Sequence, residues 1–241
     1  MVRFVRQRDR LVGALGTPIV FWLLLGSGLG RSFQSPEGHG YLEYFFAGTL
    51  VMILLFTAIF STISIIEDRR EGFLQGVLVA PVGRTALVLG KIMGGTTLAA
   101  GQGLLFLILA PMAGIELTAT GVVWSIGAMA TLGFALTGLG FLLAWQLNSS
   151  QGFHAIMNLF LLPMWLLSGA VFPSDGAPSW IGWVMWLNPL TYGVTVVRKG
   201  LYWDATASVP VAAVVVTVVF ALAMWSLSMW STRRVTSGDL Q

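Results

Sequence analysis

Glu67-Asp68-Arg69-Arg70-Glu71-Gly72-Phe73-Leu74-Gln75-Gly76-Val77-Leu78-Val79-Ala80-Pro81-Val82-Gly83-Arg84, continued by Leu87-Val88-Leu89-Gly90-Lys91, is charged, amphipathic and set between two long apolar runs. A chain that only has to reverse direction does so in about five residues; the roughly 25 spent here point to an element docked on a membrane surface. Outward from this stretch the chain is apolar. Hydrophobic residues make up 56% and charged residues 10%, with a mean hydropathy of +0.83, against about 25% charged in soluble domains. Several runs reach the roughly 20 residues that cross a bilayer core. The expected fold is an all-α polytopic membrane protein, one transmembrane domain over residues 1–241. Cysteine is absent, which excludes disulfides, thiolate metal sites and cysteine nucleophiles. The net charge of +3 is small, and nothing in the sequence supports nucleic-acid binding.

Six spans are expected, at about 11–30, 43–66, 92–114, 121–146, 153–172 and 209–230. The first is interrupted by Gly13, Gly16 and Pro18, which neighbouring helices can accommodate. Arg3, Arg6, Arg8 and Arg10 precede it as in a signal peptide. The run is long, however, and Ser27-Gly28-Leu29-Gly30-Arg31 is a poor cleavage site, so a retained helix is expected. Basic residues orient the chain. Ten of the 13 fall on one side: Arg3, Arg6, Arg8, Arg10, Arg69, Arg70, Arg84, Lys91, Arg233 and Arg234. Arg31, Arg198 and Lys199 fall on the other. Both termini and the 67–91 segment are therefore expected in the cytoplasm of a cell (inner) membrane protein, and 173–208 outside.

The outer segment is punctuated by Pro173, Pro178 and Pro189, and Trp180, Trp183 and Trp186 recur every third residue. That spacing gathers the indoles on one face of a short helix, and indole favours the headgroup level. A second helix, about 190–203, follows Asn188-Pro189 and carries Arg198 and Lys199. The hairpin reads equally as interfacial packing and as part of an exit gate.

Inside the spans no Asp, Glu, Lys or Arg lies near the midplane, where ion-coupled transporters bind their ion. Only His154 and amides and hydroxyls such as Gln102, Thr137 and Asn158 are offered. No GxxxxGK[ST] phosphate loop occurs, so uphill transport requires a separate nucleotide-hydrolysing subunit. Gly95, Ala99 and Gly103 form a small-residue stripe on span three. On span four Ser125, Met129, Gly133 and Thr137 share one face, and Gly127, Thr131 and Ala135 another. Such stripes let helices approach closely in lipid. Ser168-Gly169 with His154 superficially resembles an intramembrane serine protease. Leu166 stands where that chemistry wants glycine, and His154 precedes Ser168 on the same span by a rise of about 21 Å.

The 67–84 region reads as a short helix. Glu67, Asp68 and Glu71 lie near its start, where negative charge suits the helix end. Phe73, Leu74, Val77 and Leu78 form an apolar face, and Pro81 ends it. Arg84 and Lys91 lead back to the headgroups. Such a helix rests on the bilayer or docks in a protein groove; periodicity does not choose between them.

Glu71-Gly72-Phe73-Leu74-Gln75, then Leu78, Ala80-Pro81-Val82-Gly83-Arg84 and Leu89-Gly90-Lys91, resembles the first cytoplasmic loop of the ABC-2 type transporter permeases. Leu167-Ser168-Gly169-Ala170-Val171-Phe172-Pro173, Pro178, Asn188-Pro189-Leu190-Thr191-Tyr192 and Arg198 resemble that family's fifth-span end and external hairpin. The resemblance implies a six-span half-transporter with a cytoplasmic coupling helix and an external re-entrant or interfacial hairpin. It implies pairing with a second permease copy, as homodimer or heterodimer, and with two cytoplasmic ABC ATPase subunits. No cofactor is expected on this chain; ATP and Mg belong to the ATPase. Arg70, Glu71, Gly72, Phe73, Leu74, Val77 and Leu78 become the implied ATPase contacts. Phe73 and Gln75 depart from the usual Thr and Glu.

Alternating access is the implied mechanism, with a seam built from spans one, two and five. Phe21, Trp22, Phe45, Phe46, Phe153, Met157 and Trp165 are the implied cargo-path residues. An aromatic, charge-free interior suits an apolar or amphipathic cargo such as a drug or lipid. The short segment before span one is unlike that of sugar-chain exporters, so polysaccharide is the lesser alternative. An ion-coupled transporter or channel is the rival class.

Overall fold

The structure, a computed structural model, describes residues 8–29, 40–72, 83–173, 177–204, 206 and 208–233. Among them every regular element is helical. The helices are α1 (Arg8–Leu29), α2 (Tyr41–Arg70), α3 (Arg84–Leu107), α4 (Ala119–Gln146), α5 (Ser150–Ala170), α6 (Ser179–Leu187), α7 (Pro189–Leu201) and α8 (Val211–Arg233). A helix lies at each of the six expected span positions. Four of them, α2, α4, α5 and α8, are long and apolar enough to cross a membrane. Leu15–Gly28 of α1 is a shorter apolar stretch. Glycines, threonines and Gln102 dilute the hydropathy of α3.

α2 is the axis of the bundle. It is apolar on every side, the pattern of a helix enclosed by others, and Leu50, Val51, Ile53, Leu54, Leu55 and Ile59 are fully buried. It packs against α1, α3, α4, α7 and the end of α5. Thirty residues long with one irregular step at Thr62, it measures about 45 Å and links the two rims of the bundle.

Small residues set the spacing around that axis. A Cβ at Gly95 of α3 would sit 2.5 Å from Thr137 Cγ2 of α4, and one at Gly103 would sit 2.7 Å from Met129 Sδ. At Gly48 of α2 the obstacle is backbone, with Ala170 C at 2.8 Å and Cα at 2.9 Å. Glycine at these positions brings α3 onto α4 and the end of α5 onto α2. Between α2 and α3, Thr57 Oγ1 donates to Gln102 Oε1 within the buried interior. α1 is fastened by Trp22, whose ring meets Phe46 at 5.5 Å and Phe106 at 5.6 Å while its Nε1 donates to Leu42 O at 2.8 Å.

Helix ends follow local sequence. Thr118 caps α4 by accepting from Gly121 N, and Ser149 caps α5 by accepting from Gly152 N. Asn188 caps α7, with Pro189 in the first helical position. Gly72, at φ 73°, provides the left-handed residue that terminates α2.

Two expectations are corrected. Glu67 and Asp68 lie in the last turn of α2 and Glu71 is its C-cap; they do not open a new helix, because α2 continues through Thr62 to Arg70. Residues 84–91 belong to α3 rather than to the loop. The fifth span, whose regularity the sequence left open, is a broken helix. Met157–Leu161 and Leu166–Ala170 are π turns, and Gly169 sits at φ 75°. Phe73, Leu74, Val77 and Leu78 lie outside the described residues.

Candidate functional site: two rims of the helix bundle

At one rim α2 ends, α3 begins, and α4 and α8 finish. The last carbonyls of a helix have no partner within it and carry its negative end. Arginines from neighbouring segments take them. Arg69 donates from Nη2 to Trp145 O at 2.7 Å and from Nη1 to Asn148 Oδ1 at 2.9 Å, with its guanidinium 5.3 Å over the Trp145 ring. Arg70 donates to Asn148 O from Nη2 at 2.9 Å and from Nε at 3.2 Å. Arg84, the first residue of α3, donates to Thr232 O at 3.0 Å and Arg233 O at 3.3 Å, at the end of α8. Lys91 Nζ pairs with Asp68 Oδ2 at 2.5 Å. That ion pair ties α2 to α3 and offsets the unfavourable placement of an acid in a last helical turn.

The expected docking residues divide accordingly. Arg70 is exposed but spends its guanidinium on the segment that follows α4. Glu71 and Gly72 are exposed at the point where α2 stops and the chain enters 73–82. Arg84 and Lys91, read from sequence as headgroup anchors, bind helix ends and an aspartate within the chain.

The opposite rim centres on the end of α5. Non-helical angles at Leu167 and Gly169 release carbonyls from the helical ladder, and side chains from other segments collect them. Asn188 Nδ2 donates to Met164 O at 2.6 Å and Leu167 O at 3.0 Å. Its Oδ1 accepts from Leu190 N at 3.0 Å. Tyr44 donates to Gly169 O at 2.8 Å, and Arg198 Nη2 donates to the same oxygen at 3.1 Å. The Arg198 guanidinium lies 4.3 Å over the Tyr44 ring. Tyr41 donates to Val171 O and Tyr202 to Glu43 O. Sequence reasoning places Arg198 and Asn188 in the outer hairpin but assigns them no partners. The signal that could have found those partners is the pairing of Gly169 with an Asn-Pro helix start.

Trp180, Trp183 and Trp186 lie on α6 at 66%, 66% and 61% exposure, and the last two rings meet edge-on at 5.8 Å. Pro189 opens α7. Of the expected cargo-path residues, Trp22, Phe45, Phe46, Phe153, Met157 and Trp165 are buried inside this single chain, and only Phe21 is exposed. Trp165 also donates to Gly48 O at 2.9 Å. Beyond them on α5, Leu159 and Phe160 form an open apolar face. Ser168 donates to Trp165 O, while His154 is exposed and lies against the Phe60 ring, so the two do not form a catalytic pair. No cluster of potential metal ligands occurs among the described residues.

The family model described as the ABC-2 type transporter matches residues 1–202. A protein of Cyanophora paradoxa named as a transport permease, ycf38, is 28% identical over 205 residues, covering 82% of this chain and 69% of that one. Nodulation protein J of Rhizobium leguminosarum bv. viciae is 26% identical over 201 residues, 83% of this chain and 77% of that one. A protein of Escherichia coli strain K12 named as a multidrug ABC transporter permease, YbhR, is 24% identical over 151 residues, 63% of this chain and 41% of that one. With the family model matched over residues 1–202 and helices apolar enough to cross a membrane, the chain belongs to the ABC-2 type transporter family, as a multi-pass membrane transport component.

Proposed function

We propose that the chain is the six-span permease subunit of an ATP-driven exporter, with both termini and residues 67–91 in the cytoplasm of the cell (inner) membrane. A separate ABC ATPase pair holds ATP and Mg and docks through Glu71, Gly72, Phe73, Leu74, Val77 and Leu78. A second permease copy completes the path. The cargo is apolar or amphipathic, drug-like or lipid-like. The relative named for multidrug transport supports that class, and the absence of charge at mid-span suits it.

The observation that carries this reading is the bracing of the rim beside 73–82. Asp68–Lys91 joins α2 to α3, and Arg69 and Arg70 join α2 to the end of α4. A push on the intervening segment therefore reaches three helices at once. α2 transmits it as a single rod to the far rim, which is how a docked subunit biases one of two states. Trp180, Trp183 and Trp186 seat the outer hairpin at the headgroup level. The exposed faces of α1 and α5, with Phe21, Leu159 and Phe160, meet the second copy.

Co-purification tests the reading: tagged wild type beside the Glu71→Ala, Phe73→Ala double variant, with partners identified by mass spectrometry. The expected result is a nucleotide-binding subunit with wild type and its loss with the variant. A folded wild type that brings down no ATPase overturns the reading and leaves gradient-driven transport as the next test.

A further inference from the structure

We propose that Asn158 fixes the register between two copies of this chain: its side-chain amide exchanges hydrogen bonds with its counterpart in the second copy, across a seam made by the outward face of α5. The proposal rests on the reading of the chain as one of a pair of permease subunits, and it names the residue at which the pair aligns.

Asn158 is out of place as a lone side chain. It is exposed on a helix apolar enough to cross a membrane, which starts at Ser150, about 12 Å back along the axis. Asparagine is too short to reach a headgroup from that depth, and an unpaired amide in hydrocarbon is strongly disfavoured. Other outward polar groups in the helices avoid this. Ser27 donates to Leu23 O, Thr97 to Met93 O and Thr131 to Gly127 O, each one turn back on its own helix. Asn158 makes no hydrogen bond among the described residues.

α5 presents Asn158 on a straight face. Phe153, Met157, Leu161 and Trp165, four residues apart, are all buried against the chain's own core. A regular helix drifts about 40° over each four residues; the wider π turn at Met157–Leu161 takes up drift of that sense. The outward row runs straight for the same reason: His154, Asn158, Leu162 and Leu166 are all exposed.

The chemistry of that row selects its occupant. A primary amide carries both donors and an acceptor, so two of them facing each other satisfy both. The row holds no Asp, Glu, Lys or Arg, so two copies of it carry no like charges to repel. Two copies inserted with the same topology are related by an axis along the membrane normal, and residues of equal depth meet. Ala155, beside Asn158 toward the start of α5, is small enough to let the two backbones close. Leu162 and Leu166 continue the contact toward the other end. One asparagine in an otherwise apolar seam is a known way to set the register of paired helices.

The chain has no cysteine, so single thiols report without background. Ala155→Cys and Leu162→Cys, made separately in the full chain in its native membrane, are expected to give disulfide-linked dimers under mild oxidation. Val219→Cys, on the exposed face of α8, is expected to give none. Dimerisation is then read by energy transfer between labelled copies diluted in lipid vesicles. Asn158→Leu should raise the concentration needed for half-dimerisation roughly tenfold, the scale of an interhelical amide pair. Asn158→Gln, which keeps the amide, should raise it less. Because Asn158 is exposed in the single chain, neither change disturbs the chain's own packing.

Absence of cross-links at 155 and 162 overturns the proposal. Labelling of those thiols by a charged, membrane-impermeant methanethiosulfonate then marks the face as a wet groove, and no labelling marks it as facing lipid. Cross-linking no faster than at Val219→Cys also overturns it, as collision. Asn158→Leu that dimerises as well as the native chain removes the amide from the seam and overturns it too. If the seam cross-links and Asn158→Leu weakens it, but no ATPase co-purifies, the register point stands and the export reading fails. If the ATPase co-purifies and the seam does not cross-link, the export reading stands and the register point fails.

Discussion

The two rims use the same chemistry on different objects. At the Arg69 rim, cationic side chains cover the normal ends of intact helices, α4 and α8, and one ion pair reinforces them. At the Gly169 rim, mostly neutral donors hold carbonyls that a broken helix has released. A helix end has unpaired carbonyls in every conformation and gains from a permanent cap. A π-turned helix can re-pair its carbonyls by changing shape. The first arrangement closes ends that every helix has; the second fills bonds that only a broken helix leaves open.

Substitutions sharpen that contrast, beginning with the largest effect. Gly48→Ala should be the most damaging of these changes, because the new atom meets the backbone of Ala170 rather than a side chain that can turn aside. A loss of about 2–3 kcal/mol is expected, seen as a lowered melting temperature in detergent. An unchanged melting temperature would mean that α2 and the end of α5 do not hold this contact.

Asp68→Asn leaves Lys91, 29% exposed, without its counter-charge. Partial exposure keeps the cost below that of a buried pair, roughly 1–2 kcal/mol. The charge-swapped double variant, Asp68→Lys with Lys91→Asp, should recover part of it; no recovery would mark the pair as incidental.

Arg69→Lys keeps the charge but cannot span Trp145 O and Asn148 Oδ1 together. About 1 kcal/mol should be lost, read by a double-mutant cycle with Asn148→Ala. Additive effects would break the claim that Arg69 braces the end of α4.

The smallest effect is expected from Gly90→Ala on α3, near the braced rim, where a Cβ meets nothing within 4 Å. The change should be neutral or stabilise by up to about 1 kcal/mol through helix propensity. Opposite outcomes at Gly48 and Gly90 would show that close approach, not glycine content, distinguishes the two places.

Much of this is readable in the linear chain. Uninterrupted apolar runs announce the helices α2, α4 and α8, and Asn188-Pro189 announces the start of α7. Gly95, Ala99 and Gly103 announce a close-packed face. The acids at 67–71 mislead because their neighbours look like a helix start. Only continuation of α2 through Thr62, stabilised by burial on all sides, turns them into a helix end. The aromatic residues at 45, 46, 153 and 165 look equally suited to a core or a cargo path. Composition cannot separate the two, because both are apolar; the structure adds that all four side chains are buried within one chain.

That the chain is helical and membrane-embedded, that its charges stay at the ends of its spans, and which family it joins all follow from the linear order of residues. Length, hydropathy and motif order are properties of the chain taken in sequence. What each charge does is a matter of packing. Arg69, Arg70, Arg84 and Arg198 can all be read as topology signals or headgroup anchors. Each is placed on carbonyls of a distant segment, up to about 150 residues away along the chain. A helix exposes its unpaired carbonyls at one end only, and which arginine meets them depends on how the helices are packed.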